Sequence, residues 1–471
     1  MKKRLLMNIF SIIVFIVMIL TIIMVLKINI VPMRYLSIFI LGEAILYIIA
    51  LILYNLKHKF FIVLGILLFL IGVIGNVFGY YYLNKTNRYI ENNFAIDTYK
   101  VKTHYYLITG NTNPISSVDE LSNDQGISYN SSSMSVEQAM KKLGKFQYHA
   151  IEYGGYTYYT FENVSNNNTY FLLPSDEYTF LIGSSNKLSE DMFKVIKEFD
   201  VYEEFELKDD VPDSFNVYIS GYDYTGKWRD YNLIATVNLK THKIVLTSIP
   251  RDYYIDIPAY GEKDSLTALG VVNPNITKEA LEELFNTKID YNVTVYTDSL
   301  VKVVDTLGGI EFCSDYDFVT THDLTLGSYA DKGEKLYVEK GCHTYNGVQT
   351  LAIARERMHI ANGERARQDN CRKILISILH KLASTSTITN YSDTLDSFEG
   401  LYVSDINKRM ITELIKEGID NPNFEIVEQS VDGKDGKARN HWDTGTIYTL
   451  DPYMDTVDAA SAKINEVLNE K

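Results

Sequence analysis

The fold is decided by two neighbouring stretches of sequence, DYNLIATVN at 230–238 and KIVLTSIPRD at 243–252. Both are rich in β-branched and aliphatic residues, which predicts two β-strands joined by a polar turn. If these strands pair as an antiparallel hairpin, the start of the first and the end of the second lie at the same edge of a sheet. Asp230 is therefore expected beside Arg251.

A third strand is predicted just before this hairpin. Residues 215–220 (FNVYIS) have the composition of a strand, Gly221 frees the backbone, and Asp223 follows at once. The loop 221–229 is short, so Asp223 is expected at the same edge. The apolar run 244–246 predicts a strand buried on both faces, and functional groups of open α/β sheets commonly gather beyond such strand ends.

Strands and helices alternate through the rest of the chain. This pattern predicts a layered α/β/α domain with a central mixed sheet over residues 209–471. Gly308 is expected in the left-handed conformation that ends a helix, and 431–442 is expected to be a loop. One helix is predicted to be capped by Thr344 or Asn346 and to end at 354. The other predicted helices are 277–285, 299–307, 364–382, 404–416 and 455–468. The further predicted strands are 292–296, 424–427 and 448–450.

Four arginines stand where predicted strands or helices end. Arg251 follows a strand, Arg355 and Arg357 follow a helix, and Arg367 lies on the apolar stripe at the start of the 364–382 helix. Taken singly, each is typical of solvated surface charge. Together their forked donors suit phosphate oxygens, and a helix N-terminus adds free NH groups, so a diphosphate is the predicted ligand.

Asp223 and Asp230 add two carboxylates to the same edge. Magnesium is typically held by one or two carboxylates and completed by phosphate oxygens of a substrate. The sequence therefore predicts Mg²⁺ as the cofactor. We find no zinc, P-loop or dinucleotide motif in a usable context.

Three apolar segments near the N-terminus predict membrane-spanning helices. They cover Leu5–Leu26, Tyr35–Leu56 and Phe60–Leu83, roughly 20 residues each, which is enough to cross a bilayer core. Basic residues are denser before the first segment and between the second and third than in the other loop, which places the N-terminus in the cytoplasm. Three crossings then put the main domains outside the cell, so we expect a multi-pass membrane protein with its anchor at 1–91.

The part outside this anchor is strongly acidic. The 471 residues carry a net charge of −15, and the first 91 residues hold nine basic and two acidic residues, which leaves −22 for the remainder. Nucleic-acid binding depends on neutralising phosphates with Lys and Arg, so we expect no nucleic acid partner. An anion site must instead be a local basic pocket.

Residues 92–208 predict a small accessory α/β domain without chemistry of its own. A polar tether at 84–93 is expected to precede it. Strands are predicted at 105–108, 158–161 and 178–182, and helices are signalled by Ser117 with Glu120 and by Ser135 with Gln138, which have the spacing of capping boxes.

The chain has three cysteines, Cys313, Cys342 and Cys371. All three follow the predicted spans. In an oxidising space Cys313 and Cys342 could form a disulfide, and the alternative is two unpaired small apolar residues.

The ordered motifs resemble those of the LytR-CpsA-Psr family. The resemblance spans about 213–382, and three membrane spans with an intervening accessory domain are similar to its CpsA branch. It implies an extracytoplasmic phosphotransferase that moves a glycan, capsular polysaccharide or a teichoic-acid-like polymer, from an undecaprenyl diphosphate carrier to peptidoglycan. The motifs are SGYD at 220–223, DYNL at 230–233, SIPRD at 248–252, DTLGGI at 305–310 and RER at 355–357, followed by Arg367.

The resemblance also implies roles for individual residues. The catalytic set would be Asp223, Asp230, Arg251 and Arg357, with Mg²⁺ on the two aspartates, either of which would accept the proton of the attacking hydroxyl. The polyprenyl tail would occupy an apolar groove. The diphosphate would be bound by Arg251, Arg355, Arg357 and Arg367, and Asp252 would orient these arginines.

Two positions depart from the family pattern. Trp228-Arg229-Asp230 stands where Arg-Ser-Asp is usual, so one phosphate contact is lost or passes to Arg229. Cys371 stands where a glutamine commonly lies and joins the predicted substrate contacts.

Two other functions fit the same residues. One is a non-catalytic membrane receptor that regulates capsule or wall-polymer assembly proteins, and the other is a polyprenyl diphosphate hydrolase. The resemblance points to a Gram-positive bacterium.

Overall fold

A computed structural model shows how these elements are arranged. It describes residues 2–94, 98–131, 133–151, 158–167, 169–184, 188–207, 210–222, 229–258, 262–267, 269, 274–324, 334–382, 398, 402–439 and 446–471.

Three long apolar helices form the N-terminal part: α1 (Lys2–Ile28), α2 (Met33–Asn55) and α3 (Lys59–Asn93). All three are long and apolar enough to cross a membrane, as predicted. The expected tether at 84–93 is wrong, because α3 continues through it. Thr86, Asn87 and Ile90 are buried there, so packing keeps this polar segment helical.

A five-stranded sheet follows the anchor. Its strands are β1 (Thr98–Gly110), β2 (Gly126–Asn130), β3 (Gln147–Ile151), β4 (Tyr170–Pro174) and β5 (Phe193–Glu206), in the order β3-β2-β4-β1-β5. Three helices connect these strands: α4 (Val136–Leu143), α5 (Tyr158–Asn167) and α6 (Ser175–Ser184).

Two strands predicted in this region are wrong, because 158–161 and 178–182 lie in α5 and α6. β2 is parallel to both β3 and β4, and parallel neighbours need a crossover, which α5 supplies between β3 and β4. Ser117 does cap a short 3₁₀ turn. Ser135 makes no capping hydrogen bond and instead donates to Glu203, 2.6 Å away.

The second sheet is mixed and has six strands in the order β16-β11-β6-β7-β8-β17. β6, β7 and β8 are successively antiparallel, as predicted, while β11 is parallel to β6 and β17 is parallel to β8. The strands are β6 (Ser214–Tyr222), β7 (Arg229–Asn238), β8 (Lys243–Ser248), β11 (Tyr291–Val295), β16 (Tyr402–Ser404) and β17 (Glu425–Ser430).

Helices and short strand pairs cover this sheet. The helices are α7 (Pro274–Phe285), α8 (Thr297–Thr306), α9 (Gly347–Arg355), α10 (Gly363–Leu382), α11 (Lys408–Asp420) and α12 (Met454–Asn469). The paired strands are β9 (Tyr254–Ile257) with β10 (Glu262–Ser265), β12 (Ile310–Ser314) with β15 (Gly341–Tyr345), β13 (Phe318–Asp323) with β14 (Lys335–Val338), and β18 (Gly433–Arg439) with β19 (Thr446–Pro452).

Most of the helix caps and helix ends predicted for this part of the chain are confirmed. Asn346 caps α9 in a full capping box, and Gly308 has φ of +72° after α8. Two predictions are wrong. The expected loop at 431–442 contains β18, and α11 is capped by Asn407, whereas Ser404 ends β16.

Buried residues of both sheets form one continuous apolar cluster. Ile108, Phe161 and Phe193 from the first region pack in it together with Ile249 and Ile255 from the second. The accessory region is therefore packed against the larger sheet. The last strand of the first sheet ends at Glu206 and the first strand of the second begins at Ser214.

Cys313 and Cys342 form a disulfide between β12 and β15, which confirms the bonded alternative. Cys371 is a free thiol on α10.

Candidate active site

A cavity of about 490 Å³ lies between the edge of the six-stranded sheet and helices α8, α9 and α10. Its charged lining is Asp230, Arg251, Arg355, Arg357 and Arg367, and its apolar lining includes Ile219, Val295, Leu300, Val303, Leu351, Ile374, Leu375, Ile378 and Phe398. Arg367 and Ile378 are separated by three turns of α10, about 16 Å. The cavity thus offers an anion-binding end and a long apolar interior.

Arg251 lies at the centre of the charged end. Its Nη1 donates to Asp230 Oδ1, which confirms the juxtaposition predicted from the hairpin. Its Nε lies 3.6 Å from Asp252 Oδ2 and 3.8 Å from Glu364 Oε1. Burial alone would lower the pKa of this guanidinium, but Asp230, Glu364 and Asp252 raise it. Arg251 therefore carries a permanent positive charge.

The backbone of Arg251 is also fixed. Its carbonyl accepts hydrogen bonds from the amide of Thr267 at 3.0 Å and from the hydroxyl of Thr267 at 2.9 Å. These two hydrogen bonds hold the turn that follows β8 in place. They thereby fix the backbone from which the Arg251 side chain extends.

Arg367 is the most deeply buried of the four arginines, at 5% exposure. It donates through Nη2 to the carbonyl of Asp230 at 2.6 Å and through Nε to Glu364 Oε2 at 2.9 Å. Glu364 thus lies between Arg251 and Arg367 and holds the two cations together. Sequence reasoning missed this role of Glu364, although its position three residues before Arg367 in the first turn of α10 was a visible signal.

Arg355 and Arg357 reach the cavity from the end of α9. Glu356 between them is extended, with ψ of 128°, so the two arginines lie on the same side of the chain, as the predicted geometry requires. Arg357 is exposed at the cavity rim, and Arg355 is partly buried.

Glu356 is fully buried and holds this segment in shape. Its carboxylate accepts from the Thr321 hydroxyl at 3.0 Å and from the amides of Met358 at 2.7 Å and His359 at 2.8 Å. Burial alone would raise the pKa of Glu356, but these bonds from His359 and Thr321 lower it. Sequence reasoning missed Glu356 as a positioning residue, since only the folded chain shows that it points inward.

Asp252 and Cys371 lie beside the arginines. Burial raises the pKa of Asp252 more than Arg251 lowers it. Burial raises the pKa of Cys371 to about 11, so its thiol is protonated at neutral pH. That thiol lines the cavity and donates to the carbonyl of Ala354 at 3.3 Å. A protonated thiol there serves as a hydrogen-bond donor.

Arg229, Asp223 and Trp228 belong to the segment that departs from the family pattern or adjoins it. Arg229 is only 2% exposed and donates to the Ser220 hydroxyl at 2.8 Å, with its guanidinium over the Tyr222 ring. Arg229 does not line the cavity, because its guanidinium is held by the Ser220 hydroxyl and the Tyr222 ring. Asp223 and Trp228 lie outside the described residues.

Of the two predicted magnesium ligands, Asp223 and Asp230, only Asp230 lies in the part of the chain that the structure describes. One carboxylate oxygen accepts from Arg251, and the side chain keeps 30% exposure, so its other oxygen suits a hard cation. Elsewhere in the described part of the chain, Glu311, Cys313 and Cys342 lie close enough together to hold an ion. Their two sulfurs are bonded to each other, which removes them as ligands.

Comparison with known families agrees with this geometry. The LytR_cpsA_psr family model matches residues 178–463, more than half of the chain. The chain belongs to the LytR_cpsA_psr family. The matched residues include all six strands of the larger sheet and the four arginines of the cavity. The match begins within α6 of the accessory region.

Two relatives carry the name polyisoprenyl-teichoic acid–peptidoglycan teichoic acid transferase TagU. The Bacillus licheniformis protein is 30% identical over 264 residues, which is 55% of this chain and 79% of that protein. The Enterococcus faecalis protein is 28% identical over 180 residues, 38% of this chain. The match to the latter spans only 55% of its length.

A solved structure is also similar. The crystal structure of Bacillus subtilis TagV aligns with 55% of this chain and 98% of its own, at 23% sequence identity and a TM-score of 0.46.

Proposed function

We propose that this chain is a membrane-bound transferase of the cell wall. It moves a glycan phosphate from an undecaprenyl diphosphate carrier to peptidoglycan, on the outer side of the membrane. The glycan is a teichoic-acid-like or capsular polymer. The proposal rests on one observation above all, the junction of an arginine cluster with a long apolar cavity.

The cavity suits the two parts of the carrier. A diphosphate carries several negative charges, and the guanidinium groups of Arg251, Arg355, Arg357 and Arg367 offer forked donors to its oxygens. The apolar walls suit a hydrocarbon tail, since burying apolar surface is favourable by about 25 cal/mol per Å². The names of the TagU relatives agree with such a substrate.

The reaction follows from this placement. A hydroxyl of the acceptor glycan attacks the phosphorus that carries the polymer, and the bond from that phosphorus to the lipid phosphate breaks. The products are a phosphodiester between polymer and peptidoglycan and a free lipid phosphate. Arg251 and Arg357 stabilise the charge that develops on the phosphate oxygens, which is the main catalytic effect in phosphoryl transfer.

The hydroxyl proton passes to a carboxylate near the attacked phosphorus. Asp223 and Asp230 are the two candidates. Mg²⁺, when bound by Asp230 together with Asp223, supplies further charge stabilisation at the phosphate oxygens. Glu364 and Asp252 keep the arginines oriented between turnovers.

The test uses the full-length protein in lipid nanodiscs with a synthetic undecaprenyl diphosphate disaccharide. We expect lipid phosphate to be released only when a peptidoglycan oligosaccharide is added, with the disaccharide phosphate attached to it. Chelation with EDTA is expected to abolish this transfer, and Mg²⁺ to restore it. Release in water without an acceptor would instead indicate a hydrolase. Binding without any release would indicate a receptor for polymer-assembly proteins.

A further inference from the structure

The membrane anchor and the larger sheet are in direct contact. The ends of α1 and α3 nearest the ectodomain pack against β16 and α11 in an apolar cluster of Met24, Ile28, Ile30, Ile90, Phe94, Tyr402, Ile406, Ile411 and Ile415. Here we call this contact the docking surface. It holds the ectodomain on the anchor, whereas a flexible tether would leave the ectodomain free to tumble.

Polar contacts surround this apolar cluster. Arg34 at the start of α2 lies 2.5 Å from Asp420 at the end of α11, and Lys408 lies 3.3 Å from Glu91 on α3. The hydroxyls of Tyr89 and Tyr402 are 3.1 Å apart. These pairs link two anchor helices, α2 and α3, with both ends of α11 and with β16, so they fix the orientation of the ectodomain as well as its attachment.

Tyr402 also packs beside the cavity. It packs against a second apolar cluster built on Val303 and Leu307, which also receives Ile378 and Phe398. Val303, Ile378 and Phe398 line the apolar part of the cavity. Tyr402 thus packs against the anchor cluster and also against an apolar cluster whose members Val303, Ile378 and Phe398 line the cavity away from the arginines.

The docking surface lies close to the bilayer. Tyr80, Tyr81 and Tyr82 are exposed on α3 and have the character of the aromatic belt at a membrane interface. Tyr89 is two helical turns further on, about 10 Å along the axis. The polar layer of a bilayer is about 5–7 Å thick on each side, so Tyr89 and Tyr402 lie just above the headgroups.

We propose that the docked anchor forms a portal through which the carrier's tail enters the cavity directly from the bilayer. The apolar path runs from α3 past Tyr402 and Phe398 to Ile378 and on to the arginines. A tail that follows this path has apolar side chains beside it above the headgroup layer, which lowers the cost of extracting its hydrocarbon from the bilayer. This inference rests on the proposed function for the identity of the lipid.

The test weakens the docking surface by charge substitutions that lie outside the cavity. Arg34→Glu with Lys408→Glu breaks both ion pairs, and adding Asp420→Arg with Glu91→Lys restores them with opposite polarity. Lys100→Glu is the matched control, since it reverses a lysine in an ion pair with Glu204 on the accessory sheet. Each full-length protein carries a photoreactive benzophenone residue in place of Phe398 and is placed in vesicles with radiolabelled undecaprenyl phosphate.

We expect crosslinking at position 398 to fall about fivefold in the Arg34/Lys408 variant, the fold-change that two surface ion pairs can supply. The charge-swapped variant and the Lys100 control should crosslink like the unmodified surface. A water-soluble geranyl diphosphate disaccharide should be turned over equally by all of them. Equal crosslinking in the docking variant would overturn the portal. Crosslinking without transfer by the parent protein would overturn the proposed function and leave the portal standing.

Discussion

Two regions outside the anchor are rich in ion pairs, and they differ in where these pairs lie. On the accessory sheet, Lys100 and Glu204 pair across β1 and β5 at 2.6 Å, with side chains 63% and 56% exposed. At the edge of the larger sheet, Arg251 pairs with Asp230 at 19% and 30% exposure. Water screens the first pair, whereas the second lies in a cavity where interactions between charges are stronger.

This difference shows which arrangement of charged side chains can bind a ligand. On the accessory sheet, Lys100 and Lys102 each face a carboxylate across the strands, so neither lysine is left for an anion. In the cavity, Glu364 and Asp230 each contact more than one arginine, and Arg357 lies at the rim beyond them. Anion binding is therefore favoured by the sheltered location of the arginines and by positive charge that their carboxylate partners leave over. The number of ion pairs alone does not favour it.

The largest expected effect is the loss of a cavity arginine. Arg251→Ala and Arg357→Ala should each lower transfer by at least about a hundredfold, because one donor to a developing oxyanion is commonly worth that much. Arg365→Ala is the control, since Arg365 pairs with Asp432 and does not line the cavity. Unchanged turnover in both cavity variants, measured with the nanodisc assay, would remove the arginine cluster from the mechanism.

Loss of Glu356 should come next. Glu356→Ala leaves several donors without their acceptor, so the free energy of unfolding should fall by about 2–4 kcal/mol, with Glu356→Gln less affected. The pKa of Glu356 is lowered, so its contribution is present above the ordinary value of about 4.3 and is lost as the pH falls through the folded value. Denaturant unfolding at several pH values checks this, and an alanine variant as stable as the parent at neutral pH would contradict it.

A polar substitution in the apolar wall of the cavity should weaken binding of the lipid tail and leave binding of the diphosphate unchanged. Ile378→Asn is expected to weaken binding of undecaprenyl phosphate about tenfold, since burial of an isoleucine side chain contributes about 1.5–3 kcal/mol. Leu379→Asn changes the exposed neighbour and serves as the control. Inorganic pyrophosphate should bind both variants equally, and a matching loss for pyrophosphate would place the effect at the arginines.

Asp252 should give a smaller effect that depends on pH. Its raised pKa means that the folded protein keeps this proton to a higher pH than the unfolded chain, so stability falls as the pH rises through that value. Protonation also adds net positive charge to the cluster. Pyrophosphate should therefore bind the parent a few times more tightly at acidic pH, and Asp252→Asn should remove that part of the pH dependence in calorimetric titrations.

The smallest effect is expected on the accessory sheet. Lys100→Ala and Lys102→Ala remove members of exposed cross-strand pairs, so neither transfer nor melting temperature should change measurably. A loss of transfer with an unchanged melting temperature would show that this face contacts the substrate or acceptor.

The same comparison explains what could be predicted from sequence. The hairpin of β7 and β8 follows from strand composition and a short turn, so the contact of Asp230 with Arg251 was predictable. Helices α5 and α6 were not, because their aromatic and β-branched residues favour strands locally while the sheet order requires crossovers. Glu356 also accepts from Thr321, and Glu364 also contacts Arg251, and no local pattern records partners so distant in sequence. The spacing of Glu364 and Arg367 was the one local signal.

The most direct measurement is a structure of the full-length protein with undecaprenyl diphosphate bound in nanodiscs. We expect density for the diphosphate within hydrogen-bonding distance of Arg251, Arg357 and Arg367, and density for the tail along Ile374 and Ile378. A lipid bound elsewhere with this cavity empty, at saturating concentration, would contradict the placement of the reaction at this edge of the sheet.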